Sequence, residues 1–435
     1  MATNLARRDF PPPRTRPTPR WPWLALLAAT LAIALGAGLD RWRTGDARAA
    51  LDPTELRPGF GPPSYAAALA RTERTLAERR AGLARFPGEW LREEIFARAL
   101  MARFRLAGDY ADLAEAQRVL DRAIVRAPEP AGPVLTRALL SLQLHRLADA
   151  DQALARFTRS VAPDPSDSAD AEALAGDVAL QRGRLDEAAR HFAKAGEIAG
   201  TPGIDLRTAV LAFHRGESEA GKRAVEALLA KPRQPPALLA ELALQRANMA
   251  YAEGDWDGAA RWVDAARRVF PGHWLADAYA AQNEALAGRP RAAIERYRAL
   301  ATRTGRPEVA DALAHLLRLE GQAAASKAWA ARAEAGWEAR AARFPEAVAQ
   351  HRAEHELAVG SAARALALTE ADVAARPQPT GIALLARALI LSGRPREALA
   401  WIVHARRQGW VSAGLFMLEA EAYAALGDQP RAEAA

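Results

Sequence analysis

His351, Glu354 and His355 have the residue types and spacing in this chain best suited to chemistry. Two imidazoles four residues apart share one face of a helix and could hold a divalent metal, with Glu354 as general base toward a bound water. The reaction would be metal-assisted peptide hydrolysis, with Glu419 or Glu421 as a distant third ligand. A zinc peptidase built on residues 351–355 is therefore the alternative reading of the chain. The other six histidines are scattered without metal-ligand spacing. No glycine-rich phosphate loop, nucleophile elbow or paired-carboxylate signature occurs. Cysteine is absent, which excludes disulfides, thiolate metal sites and cysteine nucleophiles. The leading reading assigns no catalytic residue, no cofactor and no metal.

Side chains need elements to hold them, and here those elements are helices. Of 435 residues half are hydrophobic, yet only 6% are aromatic. Alanine, the strongest helix former, dominates the rest of the apolar set. Twenty-eight prolines in such a chain must be punctuation between helices. Short turns recur between the alanine-rich runs at Gly108, His145, Gly183, Gly216, Gly254, Gly288, Gly321, Gly360, Gly393 and Gly427, at intervals of 33 to 39 residues. That interval accommodates two helices and two turns.

Two columns fix the register. Seven residues before the markers from His145 onward stand Ala138, Gly176, Ala209, Ala247, Ala281, Ala314, Ala353, Ala386 and Ala420. Five residues after stand Ala150, Ala188, Gly221, Ala259, Ala293, Ser326, Ala365, Ala398 and Ala432. Every position is tiny, because two helices cross closely only where neither side chain intrudes. Ala353 lies inside the 351–355 segment, so that segment belongs to the first helix of a repeat.

The pattern resembles the tetratricopeptide repeat (TPR), whose 34-residue unit has small residues at its eighth and twentieth positions and an aromatic at its twenty-fourth. Glu172 to Ala199 carries Gly176, Ala188, Phe192 and Ala195 in that order, and Ala247, Ala259, Val263, Ala266 and Pro271 form a second copy. The resemblance covers about residues 90–435; the family's tryptophan and leucine early in the first helix are mostly missing. It implies an all-α fold: a TPR-like α-solenoid, a right-handed superhelix of helical hairpins. It also implies a protein-binding role on a concave surface lined by first helices. The residues so placed are Asp177, Asn248, Gln282, His315, Glu354 and Arg387, with Tyr251 and Tyr279 beside them. They are the expected groove for a protein or peptide partner.

Residues 21–39, WPWLALLAATLAIALGAGL, contain no charge. Nineteen residues at 1.5 Å each span roughly 28 Å, the thickness of a bilayer core. Five arginines and one acid precede the segment, whereas the residues after it are balanced, so the N-terminus should stay inside the cell and the rest be exported. The expected organisation is a basic cytoplasmic tail (1–20), a transmembrane anchor (21–39), a linker (40–61), a capping helix and connection (62–90), and about ten repeats (91–435), the last incomplete. This describes a membrane-anchored bacterial TPR protein, single-pass in the inner membrane with its solenoid in the periplasm. Of the net charge of +7, the first fifty residues carry +5, through eight of the 59 basic and three of the 52 acidic side chains. The body is nearly neutral, so nucleic acid is not an expected partner. The C-terminal helix is expected to turn Phe416, Ala420 and Tyr423 inward and to leave Leu415 and Leu418 as an apolar strip that contacts a second copy or a partner.

If Ala188 and Ala259 are helix-crossing contacts, replacing either with Leu overpacks the crossing and costs about 1–3 kcal/mol. Thermal melts followed by circular dichroism check this; two variants that melt like wild type contradict the register.

Overall fold

A computed structural model of the chain describes residues 51–128, 131–158 and 163–435. The expected tail and transmembrane helix lie outside the described residues. No described helix is long and apolar enough to cross a membrane. The described residues form helices and no strand.

A lone helix, α1 (Tyr65–Arg85), begins at Ser64, whose hydroxyl accepts from the Ala67 N–H at 3.3 Å. Ten helix pairs follow. The first four are α2 (Trp90–Ala107) with α3 (Tyr110–Arg126), α4 (Val134–Gln143) with α5 (Leu147–Phe157), α6 (Pro165–Gln181) with α7 (Leu185–Ile198), and α8 (Pro202–His214) with α9 (Ser218–Leu229). Next come α10 (Pro236–Glu253) with α11 (Trp256–Val269), α12 (Trp274–Leu286) with α13 (Pro290–Thr304), and α14 (Pro307–Leu319) with α15 (Ala323–Ala341). The last three are α16 (Pro345–Val359) with α17 (Ala362–Ala375), α18 (Pro379–Leu391) with α19 (Pro395–Arg407), and α20 (Ala413–Ala425) with the short α21 (Gln429–Ala434). Proline opens α6, α8, α10, α14, α16 and α18, where its missing N–H is no loss and its fixed φ is helical.

The hairpin turns are built alike. At Gly183 the N–H bonds back to Leu180 O, and the Arg184 N–H to Ala179 O, at 3.0 and 2.9 Å. This double closure satisfies the last carbonyls of the first helix and needs a left-handed residue between them. Nine of the ten turn markers have φ between 60° and 82°, including His145 in place of glycine. Gly360 is the exception at φ −111°; there the Glu356 carboxylate folds over the helix end and accepts from the Ser361 N–H at 2.9 Å. The two small columns are where paired helices meet. Ala188 and Ala259 are fully buried, and a Cβ on Gly221 would lie 2.8 Å from the carbonyl of Ala209 in the partner helix.

The array winds until it touches itself. Hydrogen bonds join residues 195, 200 and 215 positions apart: Arg376 Nη1 to Gln181 Oε1, Arg306 Nη2 to Leu106 O, and Arg268 Nη2 to Pro53 O. In the contacts between pairs, the hairpin turn of one pair meets the connection entering the pair six places further on. Gly108 meets Arg306, Arg146 meets Phe344 and Glu346, Gly183 meets Pro377, and Gly216 meets Val411. Six pairs thus make one coil, and the second coil rests on the first. Apolar clusters cross the seam, joining Leu185, Phe192 and Leu211 to Ile382, Trp410 and Leu415, and Leu113 and Leu140 to Phe344. Ahead of the first pair, residues 51–64 run as a strap along the same edge. The Gly59 N–H bonds to Gln234 O at 2.8 Å and the Tyr65 N–H to Pro271 O at 3.0 Å.

This seam reverses the expectation for the C-terminus. Leu415 and Leu418 are buried at 2% and 7% exposure, whereas Phe416, Ala420 and Tyr423 are half-buried. Cover for Leu415 comes from Leu211 and its neighbours in the first coil, far away in sequence.

The glycines separate into two classes. A Cβ at Gly183 would lie 2.6 Å from Pro377 O, whereas Cβ atoms at Gly288 and Gly321 would meet nothing within 4 Å. Gly288→Ala should therefore cost only the left-handed backbone term, about 1–2 kcal/mol. Gly183→Ala should add about 1–3 kcal/mol of overpacking to that. Urea midpoints of the two variants check it; equal losses contradict a touching seam.

Candidate partner surface

The eight residues expected in the groove do share one ladder of first helices, but the coil is so tight that the ladder is largely filled. Asp177, Tyr251, Tyr279 and Gln282 are buried, at 0%, 5%, 2% and 1% exposure. Asn248, His315, Glu354 and Arg387 are half-buried. Several of the eight engage the next repeat. Arg207 donates to Asp177 through Nε at 2.9 Å, the Tyr251 hydroxyl donates to Asn283 Oδ1, and Arg387 pairs with Glu421. Tyr251 also packs against Tyr279, with ring centroids 5.7 Å apart. Helices α10 and α14 are buried on several faces at once, through Leu242, Leu244 and Met249, and through Ala312, Ala314 and Leu317. Asp177, Tyr251 and Arg387 thus serve as inter-repeat ties around a packed axis.

The 351–355 segment is tied in the same way. His355 Nδ1 lies 2.5 Å from Asp311 Oδ1, and the other oxygen of that carboxylate accepts from Trp337 Nε1 at 2.6 Å. His351 stacks on the Trp337 ring at 5.2 Å and meets Glu354 at 3.1 Å. Burial alone would lower both histidines, but the facing carboxylates outweigh it and raise their pKa values. Burial raises the Asp311 carboxyl. Each imidazole is thus held by its own carboxylate. Glu419 and Glu421, the candidate third ligands, pair with Arg406 and Arg387. Among the described residues no three His, Asp or Glu side chains gather to hold a metal.

Open recesses lie elsewhere. One of about 470 Å³ sits on the seam between coils and is lined by Glu115, Arg118, Arg146, Arg343 and Phe344. Another of about 250 Å³, beside His355, is lined by Glu334, Trp337, Arg352 and Arg364. The seam residues were invisible to repeat-by-repeat reading, although one signal was present: Arg-Phe-Pro occurs at both 85–87 and 343–345.

No family model matches the chain, and no curated protein matches it. Among solved structures, Pseudomonas aeruginosa pilF is similar at 15% identity over 56% of this chain and 92% of that one, with a TM-score of 0.35. Yeast Tom70 is similar at 13% identity over 84% and 93%, with a TM-score of 0.35. A tetratricopeptide repeat protein from Parabacteroides merdae is similar at 12% identity over 61% and 90%, with a TM-score of 0.27. The all-helical hairpin array itself stands on this chain's own turns and helix crossings.

Three histidines lie at or beside the seam and are held neutral. Burial lowers His214 to about 4, and it packs against Trp410 of the second coil at 4.9 Å. Burial lowers His273, beside Tyr65, to about 4, and His145 well below its usual value. A depressed imidazole leaves stability intact above its unfolded value of about 6.5; stability then falls as acid charges the unfolded chain first. For His214 the loss approaches about 3 kcal/mol by pH 4. Denaturant stability measured between pH 7 and 4 should decline, and His214→Phe should lessen the decline. An unchanged slope in the variant contradicts the assignment.

Proposed function

We propose that this protein is a non-enzymatic scaffold, held at the bacterial inner membrane by residues 21–39, whose helical coil binds another envelope protein on the periplasmic side. The observation that carries the reading is the use made of its most reactive residues. His351, Glu354, His355 and Asp311 serve as paired ties within and between repeats, not as groups converging on a substrate. What the fold offers instead is a long rigid surface of stacked helices. Because the ladder of first helices is filled, the partner surface lies on the outside of the coil. There the recess of Arg118, Arg146 and Arg343 suits an acidic segment of a partner. Assembly or maturation of an envelope complex is the setting this reading favours.

Two measurements test it. An alkaline phosphatase fused after Ala435 should be active and a cytosolic reporter at the same place silent; the opposite pattern overturns the topology. A photoreactive residue at Arg343 should crosslink a discrete envelope protein in intact cells, and one at the buried Asp177 should not. Capture from Asp177 and none from Arg343 overturns the outer-surface reading.

A further inference from the structure

The seam between coils leaves its two component surfaces unused at the ends of the array. One component is the edge of hairpin turns. The turns of the first four pairs are covered by the second coil, whereas those of the last six meet no coil among the described residues. Cβ atoms built on Gly254, Gly288, Gly321, Gly393 and Gly427 would touch nothing within 4 Å. The apolar residues of these turns are correspondingly bare: Leu319 is 39% exposed, Leu391 53% and Leu426 37%. Leu319 and Leu391 stand two residues before their glycines. The equivalent residue of a covered turn, Gln181, is 5% exposed and bonded across the seam to Arg376.

The other component is the edge of connections that enter each pair. In the second coil these are covered by the first: Phe344, ahead of α16, is 3% exposed and Trp410, ahead of α20, 5%. The strap of residues 51–64 covers the connections ahead of α10 and α12. Among the described residues no coil precedes the earlier connections. Phe86, in the same Arg-Phe-Pro sequence as Phe344, is 41% exposed ahead of α2, and Ile198, the last residue of α7 beside the connection to α8, is 37% exposed. One tripeptide is thus buried where a described coil precedes it and, among the described residues, covered only by the Arg92 guanidinium where none does.

We propose that a second copy of this chain docks here, its connection edge (Phe86, Ile198) seating on the turn edge (Leu319, Leu391) of the first and continuing the superhelix from one molecule to the next. The argument is continuity with the seam already formed inside the molecule, which shows that these two edges fit each other. The contact is heterologous, because different surfaces meet, so it adds copies in a row and does not close into a two-fold dimer.

The full chain in detergent micelles provides the test, with mass followed by analytical ultracentrifugation across a concentration series and the detergent subtracted. Wild type should rise above one chain. Leu319→Glu with Leu391→Glu breaks one edge, and Phe86→Glu with Ile198→Glu breaks the other; each double variant alone should remain at one chain. Mixed in equal amounts, they should form a species of two chains and nothing larger, because one intact edge of each kind remains. Formation of that pair also shows that both variants are folded. A wild type of one chain at every concentration overturns the proposal without reference to any variant. So does association that survives all four substitutions together, as contact through residues 21–39 would, or a mixture that stays at one chain beside a wild type that assembles.

Discussion

The contact between successive coils is the constraint on which the rest of the molecule depends. At two of its hairpin turns the first coil has little room for a side chain where the second coil arrives. Gly183 faces a carbonyl at 2.6 Å and Gly216 faces Val411 at 3.1 Å. The residues that arrive are buried in turn: Arg306 lies over Trp274 at 4.0 Å while donating to Leu106 O, and Arg376 pairs with Asp372 at 2.6 Å while reaching Gln181. Buried cations of this kind are tolerable only when their donors are satisfied. Here carbonyl and amide oxygens of the first coil supply part of that satisfaction, so the seam is specific in register as well as apolar.

A coil of six pairs also decides what the interior can do. First helices crowd toward the axis, and their inward positions become contacts between repeats. Asp177 with Arg207, Arg387 with Glu421, and Asp311 with His355 follow one pattern, a polar group on one first helix reaching an element of a following pair. These ties order the stack along its length, and the seam orders it across. The outer faces and edges are thereby left as the exposed surfaces.

Much of the repeat was legible in the sequence because it is local. A left-handed turn demands glycine, and a close helix crossing demands alanine, whatever lies elsewhere; hence the turn markers and the buried Ala188 and Ala259. His145 was found by spacing alone and adopts the left-handed turn at φ 60°. The coil's pitch was not legible, since it is set by contacts about 200 residues apart that no single repeat records. For that reason the groove was expected to be open although Asp177 and Gln282 are buried, and Leu415 was expected to be bare although Leu211 covers it. The 351–355 segment misled differently: its spacing suits a metal, but Asp311 and Trp337, which occupy His355 and His351, come from other helices.

The central claim is that the two coils touch, and the absence of cysteine makes it directly measurable. Arg146 and Glu346 lie on opposite sides of the seam with 3.6 Å between their charged groups. Cysteines at these two positions, spin-labelled as the sole pair in the chain, report the gap by dipolar spectroscopy. Touching coils predict one short, narrow distance that broadens only when the protein is unfolded. A long or broad distribution in the folded protein, as an open superhelix with separated coils would give, contradicts the account.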